Sequence, residues 1–159
     1  GHMWNKVRID GLWYNLDATW NDKEEQFPSY EYFNITDAQI SLDHSFSKNF
    51  TELTKDDVIG TLAPFNINLP VCTATEYNYF VKEEMLLDYY SFAAVNKLAK
   101  KYDGEGVFAF KCYDTKVLKD AVKELVENNM IFKIEQFENV NSFQYIADET
   151  SNILSFYFE

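Results

Sequence analysis

The stretch WNKVRIDGLWYNLDATWN, residues Trp4–Asn21, alternates apolar and polar side chains on both sides of Asp10-Gly11. Asp-Gly supplies the positive φ angles of a two-residue hairpin turn. Alternation is typical of strands, because successive side chains of a strand point to opposite faces. The pattern therefore predicts a β-hairpin over residues 6–20, with Asp17 in the middle of its second strand and on the same face as Trp13.

Beyond this hairpin the sequence predicts short elements of both kinds. Thr36 and Gln39 have the spacing of a capping box, which predicts a short helix that ends before Asp43-His44. After residue 70, a helix that ends before Gly104 is predicted by the helical spacing of Val95, Leu98, Ala99 and Tyr102. A strong apolar stripe predicts a further helix, capped by Thr115. We predict strands over residues 30–35, 77–81, 107–113, 130–137, 142–147 and 153–158. The order predicts an α+β fold, in which a small mixed layer with mainly antiparallel strands follows the hairpin.

Composition limits the classes of protein and partner. Hydrophobic residues make up 47% of the 159-residue chain, which is enough for one sizeable core or two small ones. The formal net charge of -12 would repel nucleic acid and anionic lipid. We expect no membrane span, because no apolar run approaches the roughly 20 residues that a membrane helix needs.

Cysteine and histidine positions predict neither a metal site nor a cofactor. Cys72 and Cys112 lie in separate segments and form no CxxC or Cys/His cluster, so neither a zinc site nor a disulfide is indicated. Cys112 alternates with Phe108 and is expected to be a buried apolar side chain. His44 follows Asp43 and is interpreted as a residue at a helix C-terminus rather than a ligand or a base.

The spacing of histidine, tryptophan and aspartate at the start of the chain is more specific than any single dipeptide. The residues concerned are His2-Met3-Trp4-Asn5, Val7, Ile9, Gly11, Trp13-Tyr14, Asp17 and Thr19-Trp20. Together they resemble the histidine and aspartate strands of the bacterial transglutaminase-like superfamily. The aromatic continuation over residues 32–44 is also similar to members of that group.

This resemblance implies a cysteine, histidine and aspartate triad on a papain-like core. In such a triad the thiol attacks an amide, and the acyl group passes through a thioester to an amine or to water. His2 would be the general base and Asp17 its orienting carboxylate. The tryptophans would pack around the site as binding residues: Trp4, Trp13 and Trp20. The resemblance also implies a protein or peptide substrate and a bacterial extracellular or cell-surface location.

The chain departs from the family pattern in two respects. The family's cysteine precedes the histidine, on a helix whose N-terminus lowers the thiol pKa, and no cysteine precedes Trp4 here. Gly1–Met3 is the sequence that tag cleavage leaves, so His2 is either a native base or part of such a scar. Cys72 is a second candidate nucleophile, although its position in the chain order is wrong for the family.

We therefore expect residues 1–69 to be part of a transglutaminase-like core and residues 70–159 to be a C-terminal α+β region. The chain would be an inactive fragment of a thiol acyl transferase or cysteine peptidase. The alternative is a non-catalytic binding or structural module of a degenerate family member. A third interpretation is an accessory domain that follows a shortened core. Without the cysteine helix, an exposed apolar face is expected, through which the chain would form a homodimer.

Overall fold

The computed structural model describes residues 2–22, 29–45 and 69–158. In these ranges a two-stranded sheet is followed by a four-stranded sheet, and short helices lie between the strands. The protein is thus a small α+β fold, as predicted. The polar and charged residues 21–29 predict a loop, and the weak periodicity of residues 45–70 predicts irregular structure. Both segments lie mostly outside the described residues.

The first sheet is the predicted hairpin, formed by β1 (Asn5–Ile9) and β2 (Leu12–Leu16) in antiparallel register. Asp10 and Gly11 have φ angles of 48° and 85°, which confirms the predicted turn. The prediction that the second strand continues to Trp20 is wrong.

Asp17 ends that strand because it caps a helix, α1 (Ala18–Asn21). Its Oδ1 accepts a hydrogen bond from the backbone N–H of Trp20 at 3.0 Å. Asp17 is therefore a helix N-cap and not the mid-strand residue that the alternation predicted.

The strand predicted over residues 30–35 is also wrong, since it is reduced to a single bridge between Ile35 and Asn15. Asn34 has a left-handed φ of 54°, which interrupts an extended chain. Its side chain donates to the carbonyl of Tyr77 at 3.0 Å. The bridge nevertheless attaches this segment to β2.

The capped helix predicted next is confirmed as α2 (Asp37–Ile40). Thr36 Oγ1 accepts from Gln39 N–H at 3.2 Å, and Gln39 Oε1 accepts from Thr36 N–H at 2.9 Å. These two bonds are the reciprocal capping box. Because the bridge precedes α2, the residues that follow it return toward the end of β2.

The second sheet has the strand order β3-β4-β6-β5, with β3 parallel to β4 and the other neighbours antiparallel. Its strands are β3 (Leu86–Leu87), β4 (Val107–Cys112), β5 (Phe143–Asp148) and β6 (Ile153–Phe158). The helices of this part are α3 (Tyr79–Lys82), α4 (Phe92–Ala99) and α5 (Thr115–Val122). The predictions of α4, α5, β4, β5 and β6 are thereby confirmed, with Asp114 rather than Thr115 as the cap of α5.

Two strand predictions in this part are wrong. The strand predicted over residues 77–81 gives way to α3 from Tyr79 onward, because Asn78 caps this helix by accepting a hydrogen bond from Phe80 N–H at 3.2 Å. Residues 130–137 form two 3₁₀ turns, Met130–Lys133 and Glu135–Phe137, which follow a π turn at Lys123–Glu127.

The interior of the described part of the protein is apolar on one side and largely polar on the other. One large apolar cluster fills the second sheet and its helices, and it includes Phe110, Leu154 and Phe156, all fully buried. The hairpin side has only a small cluster of Tyr32, Ile35 and Ile40. Polar side chains are buried there instead, among them Asn15, Asp17, Asn21, Asn34 and His44. In the part of the chain described, no helix is long and apolar enough to cross a membrane.

Candidate functional site

Three side chains converge at the open end of the hairpin: His2, Asp17 and His44. His2 Nε2 contacts Asp17 Oδ2, and His44 Nε2 lies 3.0 Å from the same oxygen. The side chains of Asp17 and His44 are each 1% exposed, whereas that of His2 is 32% exposed. The carboxylate is therefore shielded from solvent, and His2 is the accessible member.

A second carboxylate fixes the orientation of His44. Asp43 Oδ1 lies 2.5 Å from His44 Nδ1, and the Tyr32 hydroxyl donates to Asp43 Oδ2 at 2.5 Å. Burial, followed by the neighbouring Asp43, raises the pKa of Tyr32 well above its ordinary value, so the hydroxyl remains a donor. Both ring nitrogens of His44 thus face carboxylates. The contacts run continuously from Tyr32 through Asp43, His44 and Asp17 to His2.

Aromatic rings surround this chain of contacts. The Trp20 ring centroid lies 4.2 Å from that of His44 and 5.4 Å from that of His2. Trp4 meets His44 edge-on at 5.0 Å. Two of the three predicted tryptophans therefore border the site. Trp13 lies opposite Arg8 in the hairpin, and within the described residues no ring contact joins it to the site.

Two opposing effects act on the pKa of Asp17. Burial alone would raise the pKa of its carboxyl, but hydrogen bonds from His2, the Trp20 N–H and His44 together hold that pKa below its ordinary value. The carboxylate is thus kept ionised although it is buried. An ionised, oriented carboxylate is what a histidine base requires for a fixed tautomer.

The two cysteines lie elsewhere. Lys6 Nζ approaches Cys72 Sγ at 3.3 Å and Asp37 Oδ1 at 2.6 Å, and Asp37 Oδ2 accepts from Cys72 N–H at 2.9 Å. Burial raises the pKa of the Cys72 thiol in spite of the lysine. Among the described contacts of Cys72, none is to His2. Cys112 lies in the apolar core, where burial raises its thiol pKa to about 12.

The sequence identified His2 and Asp17 as a pair and assigned no part in the site to His44, Asp43 and Tyr32. His44 is 27 residues from Asp17 along the chain, so no local pattern joins the two. The interpretation of His44 as a helix C-terminal residue differs from the structure, since α2 ends at Ile40 and the imidazole turns inward. The adjacent pair Asp43-His44 was the only local sequence feature that could have indicated their part in the site.

In this arrangement a buried carboxylate orients a histidine that could act as a general base. A histidine beside a buried carboxylate can accept a proton from a thiol or from water, and the carboxylate supports the resulting positive charge. Comparison with known proteins gives no family by which to choose a reaction. The sequence matches no protein-family model, and no curated protein matches it.

Proposed function

We propose that the chain carries the base half of a transglutaminase-like thiol site. In this proposal His2 is the general base and Asp17 its orienting carboxylate, and the cysteine nucleophile comes from a segment of the parent protein upstream of Trp4. The observation that supports it is the contact between His2 Nε2 and Asp17 Oδ2, made across the open end of a hairpin. The chemistry is acyl transfer from an amide to an amine or to water.

The contacts of the two ring nitrogens of His2 are compatible with its role as the base. Asp17 meets Nε2 of His2, so Nδ1 is the nitrogen that would accept the thiol proton. His2 is also the most accessible residue of the group, as a base that meets a substrate must be. His44 would act as a positioning residue, because it contacts the same oxygen of Asp17 from the buried side.

Neither cysteine of the chain suits the nucleophile of this reaction. A reactive cysteine needs a lowered thiol pKa, whereas burial raises the pKa of both Cys72 and Cys112. We therefore propose that the chain alone does not turn over amide or ester substrates. The parent protein would be a thiol acyl transferase or a cysteine peptidase.

The test compares this chain with the full product of its natural gene. The full product should hydrolyse or transamidate a glutamine peptide, and His2→Gln or Asp17→Asn should lower kcat by at least about 1,000-fold. Cys72→Ser is the matched control and should leave kcat unchanged. Rapid alkylation of Cys72 by iodoacetamide, with loss of activity, would show instead that this thiol is the nucleophile.

The raised thiol pKa values also favour a second candidate, a degenerate family member that binds protein or glycan without catalysis. The same gene product separates the two. A full-length protein with a cysteine upstream of Trp4 and a native histidine two residues before Trp4 supports the enzyme. A full-length protein that lacks this cysteine or this histidine, and is folded but inactive, supports the binding module.

A further inference from the structure

We infer that His2, Asp17 and His44 bind a divalent transition-metal ion of the Zn²⁺ class. Their three donor atoms, two imidazole nitrogens and one carboxylate oxygen, all lie within 4.8 Å of one another. Zn²⁺ binds such donors at about 2.0–2.2 Å, which a metal placed between these three atoms would reach with small side-chain movements. Two imidazoles with one carboxylate form a donor set that suits zinc, iron or nickel rather than calcium or magnesium.

The surroundings of His44 point to a ligand more strongly than the donor set alone. A metal-binding histidine generally gives its other ring nitrogen to a carboxylate, which fixes the tautomer and strengthens the ligand. His44 has this arrangement, with Asp43 Oδ1 at 2.5 Å from Nδ1 while Nε2 faces the shared centre. Asp43 is held in turn by the Tyr32 hydroxyl. The imidazole is thus oriented for coordination through Nε2.

Charge and access agree with the same conclusion. Asp17 and Asp43 supply two negative charges, enough to balance a divalent cation in a shielded position. The ring of Trp20 and the edge of Trp4 restrict the space around His44. The partly exposed side of His2 leaves one route for an ion and for a water molecule as fourth ligand.

This inference goes beyond the proposed acyl-transfer function. A metal would take the imidazole lone pair of His2, so metal binding and general-base catalysis would exclude each other at this site. The binding experiment uses the chain as it stands and requires no nucleophile. Failure of the metal site would leave the proposed function intact, and failure of the proposed function would leave the metal site intact.

The experiment is a calorimetric titration of the chelator-treated chain with Zn²⁺. We expect one equivalent to bind. His2→Gln and His44→Gln should each weaken binding by more than the roughly 10–100-fold loss expected when Asp43→Asn removes the supporting carboxylate. Asp120→Asn is the matched control, since this exposed carboxylate pairs only with Lys116 among the described residues. Its affinity should equal that of the parent chain.

Titration with Co²⁺ gives an independent reading, because a tetrahedral site of nitrogen and oxygen donors produces visible absorption bands that a hydrated ion lacks. Circular dichroism establishes that each variant is folded. Should His44→Gln unfold, His2→Gln decides the outcome, because His2 precedes β1 and is partly exposed. The inference is overturned if Zn²⁺ affinity survives either histidine substitution, if Cys72→Ser abolishes binding, or if only weak sites sensitive to Asp120→Asn are found.

Discussion

The hairpin side and the four-stranded side of this protein bury opposite kinds of side chain. Around β4 and β6 the interior is apolar, and Ser155 is the one buried polar side chain recorded on the described strands of that sheet. Beside β1 and β2, the described residues bury carboxylates, amides and an imidazole around a small apolar cluster. Burial of apolar side chains in the four-stranded sheet therefore stabilises the fold, whereas the buried polar groups beside the hairpin cost stability and hold side chains in fixed positions.

Hydrogen bonds explain how the polar side stays folded. A buried polar group is costly unless it is paired, and paired groups in a shielded environment hold one another in a single arrangement. Asn15 illustrates this, because its side chain donates to Asp37 Oδ1 at 2.9 Å while its backbone bonds Ile35 in both directions. Such a network positions side chains more precisely than an apolar core, which makes it the better place for a reactive site.

The largest effect should come from the apolar side. Phe110→Ala removes a fully buried ring from β4 and should lower the free energy of unfolding by about 3–5 kcal/mol. Urea denaturation followed by circular dichroism measures it. Tyr113→Ala is the matched control, since Tyr113 is 77% exposed and its loss should cost less than about 0.5 kcal/mol. Equal costs for the two substitutions would contradict an apolar core centred on this sheet.

A smaller effect should come from the polar network. Asp37→Asn weakens bonds to Lys6 Nζ and Cys72 N–H and should cost about 1–2 kcal/mol at pH 7, reduced by the 33% exposure of its side chain. Burial would raise the Asp37 pKa, but bonds from Asn15, Lys6 and Cys72 N–H lower it overall. The stabilisation is thus complete above the ordinary pKa of about 3.9 and is lost as pH falls through the lower folded value.

The stabilities of the parent chain and Asp37→Asn should therefore converge as pH falls through the folded pKa of Asp37, below the ordinary value, and should differ most near neutrality. Urea titrations at a series of pH values provide the measurement. Asp120→Asn, at an exposed site, should follow the parent chain at every pH. A difference that grew in acid would show that the carboxylate destabilises the fold.

The smallest effect should come from a single cap. Thr36→Ala removes the hydroxyl that accepts from Gln39 N–H and should lower the free energy of unfolding by about 1 kcal/mol. Thr73→Ala, at an exposed position, is the control. If the cap positions the residues after α2, Thr36→Ala should also weaken the packing of His44, which NMR shifts of its imidazole would report. Unchanged shifts would separate the cap from the site.

Local sequence signals were sufficient for several elements that depend on neighbouring residues, although the helix caps at Asp17 and Asn78 were missed. The Asp10-Gly11 turn, the Thr36 and Gln39 capping box and the amphipathic α5 each depend on residues close together in the chain, and each is confirmed. Residues 130–137 show why other elements were missed. The buried residues Ile131, Ile134 and Phe137 recur every three positions, the period of a 3₁₀ helix, which a search for periods of 2 and 3.6 does not recognise.

The site could be predicted only in part. His2 and Asp17 are paired through the register of one hairpin, which the alternation of Trp4–Asn21 encodes. His44 reaches them through the bridge between Ile35 and Asn15 and the helix that follows, a path that depends on tertiary structure. Asp43 and Tyr32 depend on the same path. Their positions become visible only when the chain is folded.

The positions of the tryptophans have a consequence for spectroscopy. All three tryptophans of the chain, Trp4, Trp13 and Trp20, belong to the hairpin side, whereas tyrosine and phenylalanine fill the four-stranded side. Selectively excited tryptophan emission therefore observes only the polar half of the molecule. Two of these indoles touch His44, so the emission also reports on the imidazole itself. The protein contains its own optical probe of the half in which its chemistry would occur.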